Sequence, residues 1–145
     1  MPHNSITRLR LHSLFTLPAF ARATRAIAEQ CGASPGFIGG AVLAEGRLVF
    51  WTRSAWESAD AMKAFRDSGV HREAMPQLME WCDEASVAQW EGAVETDWAV
   101  IYARMVADGR SSRVKRPTRA HQEKRYSRML RWSPEQPIAG AASRR

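Results

Sequence analysis

A ferredoxin-like α+β sandwich is the fold class this sequence predicts, and three observations lead there. Segments with the period-two alternation of strands and segments with helical spacing follow one another in the order β, α, β, β, α(α), β. Glycine, proline and capping residues fall at the joints between them. The length of 145 residues leaves room for one domain and a tail, not for two domains. That order folds as a four-stranded antiparallel sheet with its helices on one face.

Ile6 to Ser13 sets Thr7, Leu9, Leu11 and Ser13 against Arg8, Arg10 and His12, the pattern of a strand with one wet side. Thr16 is an N-cap with Pro18 just inside the helix. Leu17, Phe20, Ala21, Thr24, Ile27 and Ala28 then form one stripe that runs to Cys31 and stops at Gly32. After the turn signal Ser34, Pro35, Gly36, residues Phe37 to Ala44 are apolar on both faces, with Gly39 and Gly40 permitting a bulge or close backbone approach. Glu45 and Gly46 link this strand tightly to Arg47–Arg53, where Leu48 and Phe50 oppose Val49 and Trp51, so the two make a hairpin.

Ser54 with Glu57, and then Ser58, offer N-caps for a helix bearing Ala61, Met62 and Phe65, which breaks at Ser68 and Gly69. A second helix follows from about Val70 to Asp83 with Ala74, Met75, Leu78, Met79 and Cys82 in register; Pro76 predicts a kink or a later start. Ser86 to Gly92 reads as the fourth strand, with Ala88 and Trp90 on one face. Thr96 caps a last helix whose stripe is Trp98, Ile101, Tyr102 and Met105, ended by Asp108 and Gly109. The domain is thus expected over residues 1–109. Residues 110–145 are expected as a basic, extended tail, partly ordered at most and loose after Pro134.

Charge is divided between these parts. The net charge is +6, yet from Arg110 onward eleven Lys/Arg face only Glu123 and Glu135, which leaves ten against thirteen acids before it. A mildly acidic body with a basic tail argues against a nucleic-acid-binding fold and for a solvated segment or an arm that docks on its own domain or on a dimer partner. No recognition helix, zinc spacing or RNA-binding aromatic motif accompanies the basic run. The two cysteines, Cys31 and Cys82, have no metal-ligand spacing and read as buried thiols near the ends of the first and third helices. The apolar runs are too short to cross a bilayer, and Met1 to Ser5 lacks the apolar core of a secretory signal, so a cytoplasmic location is expected. Phosphate loops, nucleophile elbows and zinc-protease motifs are absent from the sequence, which removes kinase and hydrolase readings.

A sheet with helices on one face leaves the other face bare. Strands two and three are apolar on both sides, so self-association is the simplest expected cover.

The run Trp51, Thr52, Arg53, Ser54, Ala55, Trp56, Glu57, Ser58, Ala59, Asp60, Ala61, Met62, Lys63, Ala64, Phe65, then Ser68, Gly69, Val70, His71, Arg72, Glu73, Ala74, Met75, and later Trp81, resembles the antibiotic-biosynthesis-monooxygenase-like superfamily. Within it the chain is similar to the spheroidene monooxygenase type, through a W-x-S-x-x-A-M-x-x-F helix followed by a histidine, over about residues 5 to 92. The resemblance implies a homodimer of ferredoxin-like units packed sheet to sheet, a dimeric α+β barrel. It implies oxygenase chemistry that either needs no cofactor or uses haem.

His71 is the central candidate. An imidazole at a helix start beside a cavity suits general acid/base work near neutral pH, or ligation of haem iron if haem is bound; helix capping is the plainer explanation. Trp51, Phe65 and Trp90 offer flat walls for a planar or polyene ligand, although core packing accounts for each tryptophan alone. Arg53, facing the same way as Trp51, suits a carboxylate or ligand oxygen, with a solvated strand end as the ordinary alternative. Two functions follow from these residues. One is an oxygenase-like enzyme whose apolar cavity holds an aromatic, quinone-like or isoprenoid molecule. The other is a non-catalytic dimeric ligand-binding or scaffold module whose basic tail contacts a partner.

Overall fold

The computed structural model describes residues 1–126 and 133–140. Strand β1 is His3–Leu11, and a single 3₁₀ turn at Leu14–Thr16 leads into helix α1, Leu17–Ala33. The hairpin β2 (Phe37–Glu45) and β3 (Val49–Trp56) follows, then α2 (Ala59–Arg66), α3 (Gly69–Trp81), β4 (Cys82–Glu91) and α4 (Trp98–Asp108). Three short elements complete the chain: β5 (Arg110–Ser111), α5 (Arg119–Gln122) and β6 (Gln136–Pro137). Among the described residues no helix is long and apolar enough to cross a membrane.

The sheet is antiparallel with the order β5-β4-β1-β3-β2-β6. Its four long strands take the ferredoxin-like arrangement, but the sheet has six strands where four were expected. The added pair come from the C-terminal arm, which carries no strand pattern: β5 lies opposite Ser86 and Val87, and β6 opposite Ala41 and Val42. The tail is therefore docked along both outer strands. Residues 141–145, within the stretch expected to be loose, lie outside the described residues.

Local chemistry explains the element ends. Ser58 caps α2, its Oγ accepting from the Ala61 N–H at 3.1 Å. Ser54 is no cap but a β3 residue whose hydroxyl accepts from Trp56 Nε1 at 2.9 Å. Asp97, not Thr96, caps α4 by accepting from the Ala99 N–H at 2.9 Å. α3 starts at Gly69, continues through Pro76, whose ring is exposed, and passes into β4 without a loop, which places Cys82 on a strand. Gly40 sits where a Cβ would collide with the Arg53 carbonyl, and the β2 register shifts between Phe37 and Gly39.

Two apolar clusters fill the space between the sheet and α1–α3. One joins Leu9, Leu11, Phe50 and Ala85 to Phe20, Ala74 and Leu78; the other gathers Cys31, Phe37, Trp56, Met62 and Phe65. The opposite face, expected to be bare, is covered by the chain itself. Ile6, Leu43, Trp51 and Ala88 lie beneath Ile101 and Met105 of α4, with Tyr102 and Tyr126 packed against them. The α4 stripe needed a surface, and this face supplies it.

The side of β1 read as wet is likewise covered, since Arg8 is only 3% exposed and donates to Glu84 at 2.9 Å. The arm is fixed to β4 by several bonds. Thr118 Oγ1 donates to Glu84 at 2.9 Å and Tyr126 OH to Ser86 at 3.2 Å. His121 accepts the Ala85 N–H on Nδ1 at 3.3 Å and donates from Nε2 to the Ser112 carbonyl at 3.0 Å.

Candidate functional site

His71 owes its position to the break between α2 and α3. Gly69 reverses the chain with φ +56°, and a Cβ there would press on the Gln30 amide at 3.2 Å. Gln30, reaching from α1, donates to the carbonyls of Phe65 at 3.2 Å and Ser68 at 2.9 Å, while its Oε1 accepts the His71 N–H at 2.8 Å. One side chain thus satisfies the orphan groups of a helix end and of the next helix start. The His71 ring stands edge-on to Phe65 at 5.0 Å, and Phe65 stacks on Trp56 at 5.1 Å. The three rings form a row from the helix surface down to the buried end of β3.

The protonation of His71 follows from this setting. Burial lowers its pKa below the ordinary histidine value, opposed by the bond to the Arg66 carbonyl, while Arg66 lowers it further and Asp67 raises it. Nδ1 carries the proton, since it lies 2.9 Å from that carbonyl, which can only accept. The neutral ring therefore presents Nε2 as a lone-pair acceptor. Beside the row is an open cleft of about 340 Å³ lined by Ser34, Pro35, Gly36, Glu57, Ala61, Ala64, Phe65 and Ser68. Phe65 belongs both to the cleft wall and to the contact with His71.

Trp51, Arg53 and Trp90 are on the other face of the sheet. Trp51 is fully buried, with Nε1 donating to Glu45 at 2.9 Å and the Arg8 guanidinium 6.0 Å from its ring. Tyr126 packs on the same guanidinium at 5.6 Å. Trp90 carries Arg104 over its ring at 5.0 Å. Arg53 extends toward α4 and the arm, 5.9 Å from the Trp98 ring, with Nη2 3.4 Å from each Glu135 oxygen. The structure brings His71 and Phe65 together and sets Trp51, Arg53 and Trp90 apart from them, so the five residues do not wall one chamber.

Some residues of the site were missed by sequence reasoning. Gln30 carries no motif; only its place one turn before the end of α1 hints at a reach to a neighbouring loop. His3, in a stretch read as a polar terminus, is 6% exposed and donates from Nδ1 to Glu91 at 2.6 Å, with Nε2 buried and unpartnered among the described residues. It pairs with Trp56 across the β1–β3 ladder, at the other end of the aromatic row.

Haem does not fit these residues. An axial histidine must face the macrocycle, but His71 does not line the cleft and spends its ring edge on Phe65. Among the described residues no group of three or more His, Cys, Asp or Glu is placed to hold a metal ion.

Comparison with known proteins agrees with the fold. No curated protein matches the chain. Among solved structures it is similar to SnoaB of Streptomyces nogalater, a cofactor-independent oxygenase seen in a mutant form, with 14% identity and a TM-score of 0.56 over 66% of this chain and 95% of that one. It is similar to Rv0793 of Mycobacterium tuberculosis, at 15% identity and a TM-score of 0.58 over 67% of this chain and 100% of that one. A dimeric ferredoxin-like protein of unknown function from Thermobifida fusca shares 20% identity, with a TM-score of 0.52 over 63% of this chain and 92% of that one. At these identities the likeness establishes the fold alone. The model of the antibiotic biosynthesis monooxygenase family matches residues 16–77, the span from the start of α1 through the Gln30 bridge, the aromatic row and His71. By that match, residues 16–77 are an antibiotic biosynthesis monooxygenase domain.

Proposed function

We propose that this chain is a cofactor-independent oxygenase of a small aromatic molecule bearing an ionisable hydroxyl, and that the cleft beside Phe65 is where the molecule rests. The reading is carried by one observation: a neutral, part-buried imidazole with Nε2 left as acceptor, at the end of an aromatic row inside the family's domain. The described resemblance to a cofactor-independent oxygenase supports it.

The chemistry needs little from the protein. His71 stands just outside the cleft, 5.0 Å from the Phe65 ring, so the substrate's hydroxyl must extend past Phe65 to reach it; Nε2 then takes the hydroxyl proton, and the electron-rich anion reduces molecular oxygen. One oxygen atom becomes the carbonyl oxygen of a ring carbon that loses its single hydrogen, while the original hydroxyl becomes the second carbonyl of a quinone. The other oxygen leaves as water with that hydrogen and the hydroxyl proton passed on from His71, the substrate supplying all four electrons. Phe65 gives the ring a flat surface, with the buried Trp56 stacked behind it, and the Gln30 bridge holds the imidazole in place. Because α4 and the arm already cover the second sheet face, the reading requires no residue from a second copy.

The test is oxygen uptake with a panel of polycyclic phenols and hydroquinones. The expected result is turnover that falls about 100-fold or more in His71→Ala with an unchanged far-ultraviolet spectrum. Full activity in that variant overturns the role of His71. A chain that consumes no oxygen with any of them is a binding module instead.

A further inference from the structure

We propose that the cleft between β2, the start of α4 and the arm binds a small organic carboxylate, and that Glu135 holds this place as the chain's own tethered occupant. The cleft has a volume of about 340 Å³ and is lined by Leu43, Thr96, Trp98, Ala99, Ser133 and Glu135. Arg53 stands behind this lining, 5.9 Å from the Trp98 ring and 3.4 Å from the Glu135 oxygens, and supplies the positive charge; none of the described lining residues is Lys or Arg.

Arg53 is poorly served where it stands. Its side chain is 12% exposed, and its Nε–H is buried without a hydrogen-bond partner among the described residues. Glu135 meets only Nη2, with both oxygens at 3.4 Å, well beyond the roughly 2.7–2.9 Å of a charge-assisted bond. Its shorter bond is from Trp98 Nε1, at 2.8 Å to Oε2. A guanidinium presents Nε and one Nη as a fork that matches the two oxygens of a carboxylate. A free carboxylate can take both arms of that fork, which the tethered one does not reach. The faces of Leu43 and Trp98 offer an apolar seat for the body of such a molecule, and one guanidinium fork suits one carboxylate.

Glu135 is held in place independently of Arg53. The Ser133 N–H donates to the Ala44 carbonyl at 2.9 Å, Ser133 Oγ accepts from the Ala44 N–H at 3.0 Å, and β6 pairs with Ala41 and Val42. Changing the Glu135 carboxylate alone therefore opens the fork and leaves the arm docked. The tether places the carboxylate at an effective concentration of about millimolar order, which an outside ligand must overcome. This site lies across the sheet from His71 and stands whether or not the chain turns over oxygen.

The test titrates 2-naphthoate into the full chain by calorimetry, with 2-naphthamide as its uncharged counterpart. Glu135→Gln is expected to bind 2-naphthoate about 10-fold more tightly than the parent, Arg53→Gln to bind none, and 2-naphthamide to bind to no variant. Should Arg53→Gln fail to fold, Arg53→Lys keeps the charge without the fork and is expected to bind more weakly than the parent. Equal affinity of Glu135→Gln and the parent, no binding by Glu135→Gln, or undiminished binding by the folded Arg53 variant overturns the proposal.

Discussion

The two faces of the sheet are held down by different chemistry. Beneath α1–α3 the clusters are aliphatic, aromatic and sulfur-bearing, and burial pushes the thiols of Cys31 and Cys82 up to about 12. Beneath α4 and the arm, apolar rings alternate with charge: Arg8 on Glu84, the Trp51 indole on Glu45, Arg53 on Glu135. The first face gains from area removed from water and tolerates exchange of one apolar residue for another. The second depends on partners, because an ion taken out of water is costly unless its counter-ion comes with it. Charged residues alternating along a strand are therefore no proof of solvent when a later segment of the chain can cover them.

The largest expected effect breaks the second face at its centre. Trp51→Ala removes a fully buried ring and one side of the Arg8 contact, and should cost about 3–5 kcal/mol in urea unfolding. Arg8→Met comes next. It leaves Glu84 9% exposed at the side chain with Thr118 as its remaining partner, for a loss of about 3 kcal/mol. Adding Glu84→Leu should restore most of that loss, which a double-mutant cycle reads directly. If the single and double variants prove equally unstable, the pair is not what holds this face.

On the helix face the expected losses are smaller. Ser58→Ala removes the α2 cap and should cost about 1 kcal/mol, with α2 amides exchanging faster and those beneath α4 unchanged. The smallest effect is the pH response of His71. Its folded pKa lies below its unfolded value, so the unfolded chain binds more protons and stability falls as pH drops below about 6.5 toward the folded pKa. His71→Phe should flatten that slope, and unfolding midpoints at several pH values between about 7 and 5 will show it. The same sign places the acid limb of any His71-dependent activity below the ordinary histidine range.

The helix-face architecture was legible because every signal there is local. Periodicity located α1, the β2–β3 hairpin and α2, and the Ser68–Gly69 break announced where His71 would sit. The fold class followed from element order and the family from the Trp51–Trp81 run, although the match spans residues 16–77, narrower than the 5 to 92 over which the resemblance was read. What was illegible depends on contacts distant in sequence. The Gln30 bridge to His71 spans 41 positions and the His3–Glu91 pair 88, and neither leaves a spacing that a single sequence can display. The cover of the second face was half legible: the α4 stripe asked for a surface, but nothing said that it would take this one before a second copy could. Trp51 and Trp90 were placed on strands correctly, yet a strand has two sides, and the choice between them was made by α4.

The two outer long strands of the described sheet are stitched at mid-length by the arm, β5 on β4 and β6 on β2. A chain cut after Gly109 would lose both stitches at once and bare two rows of unpaired amides and carbonyls. Such a fragment is primed to add neighbours end over end into fibrils.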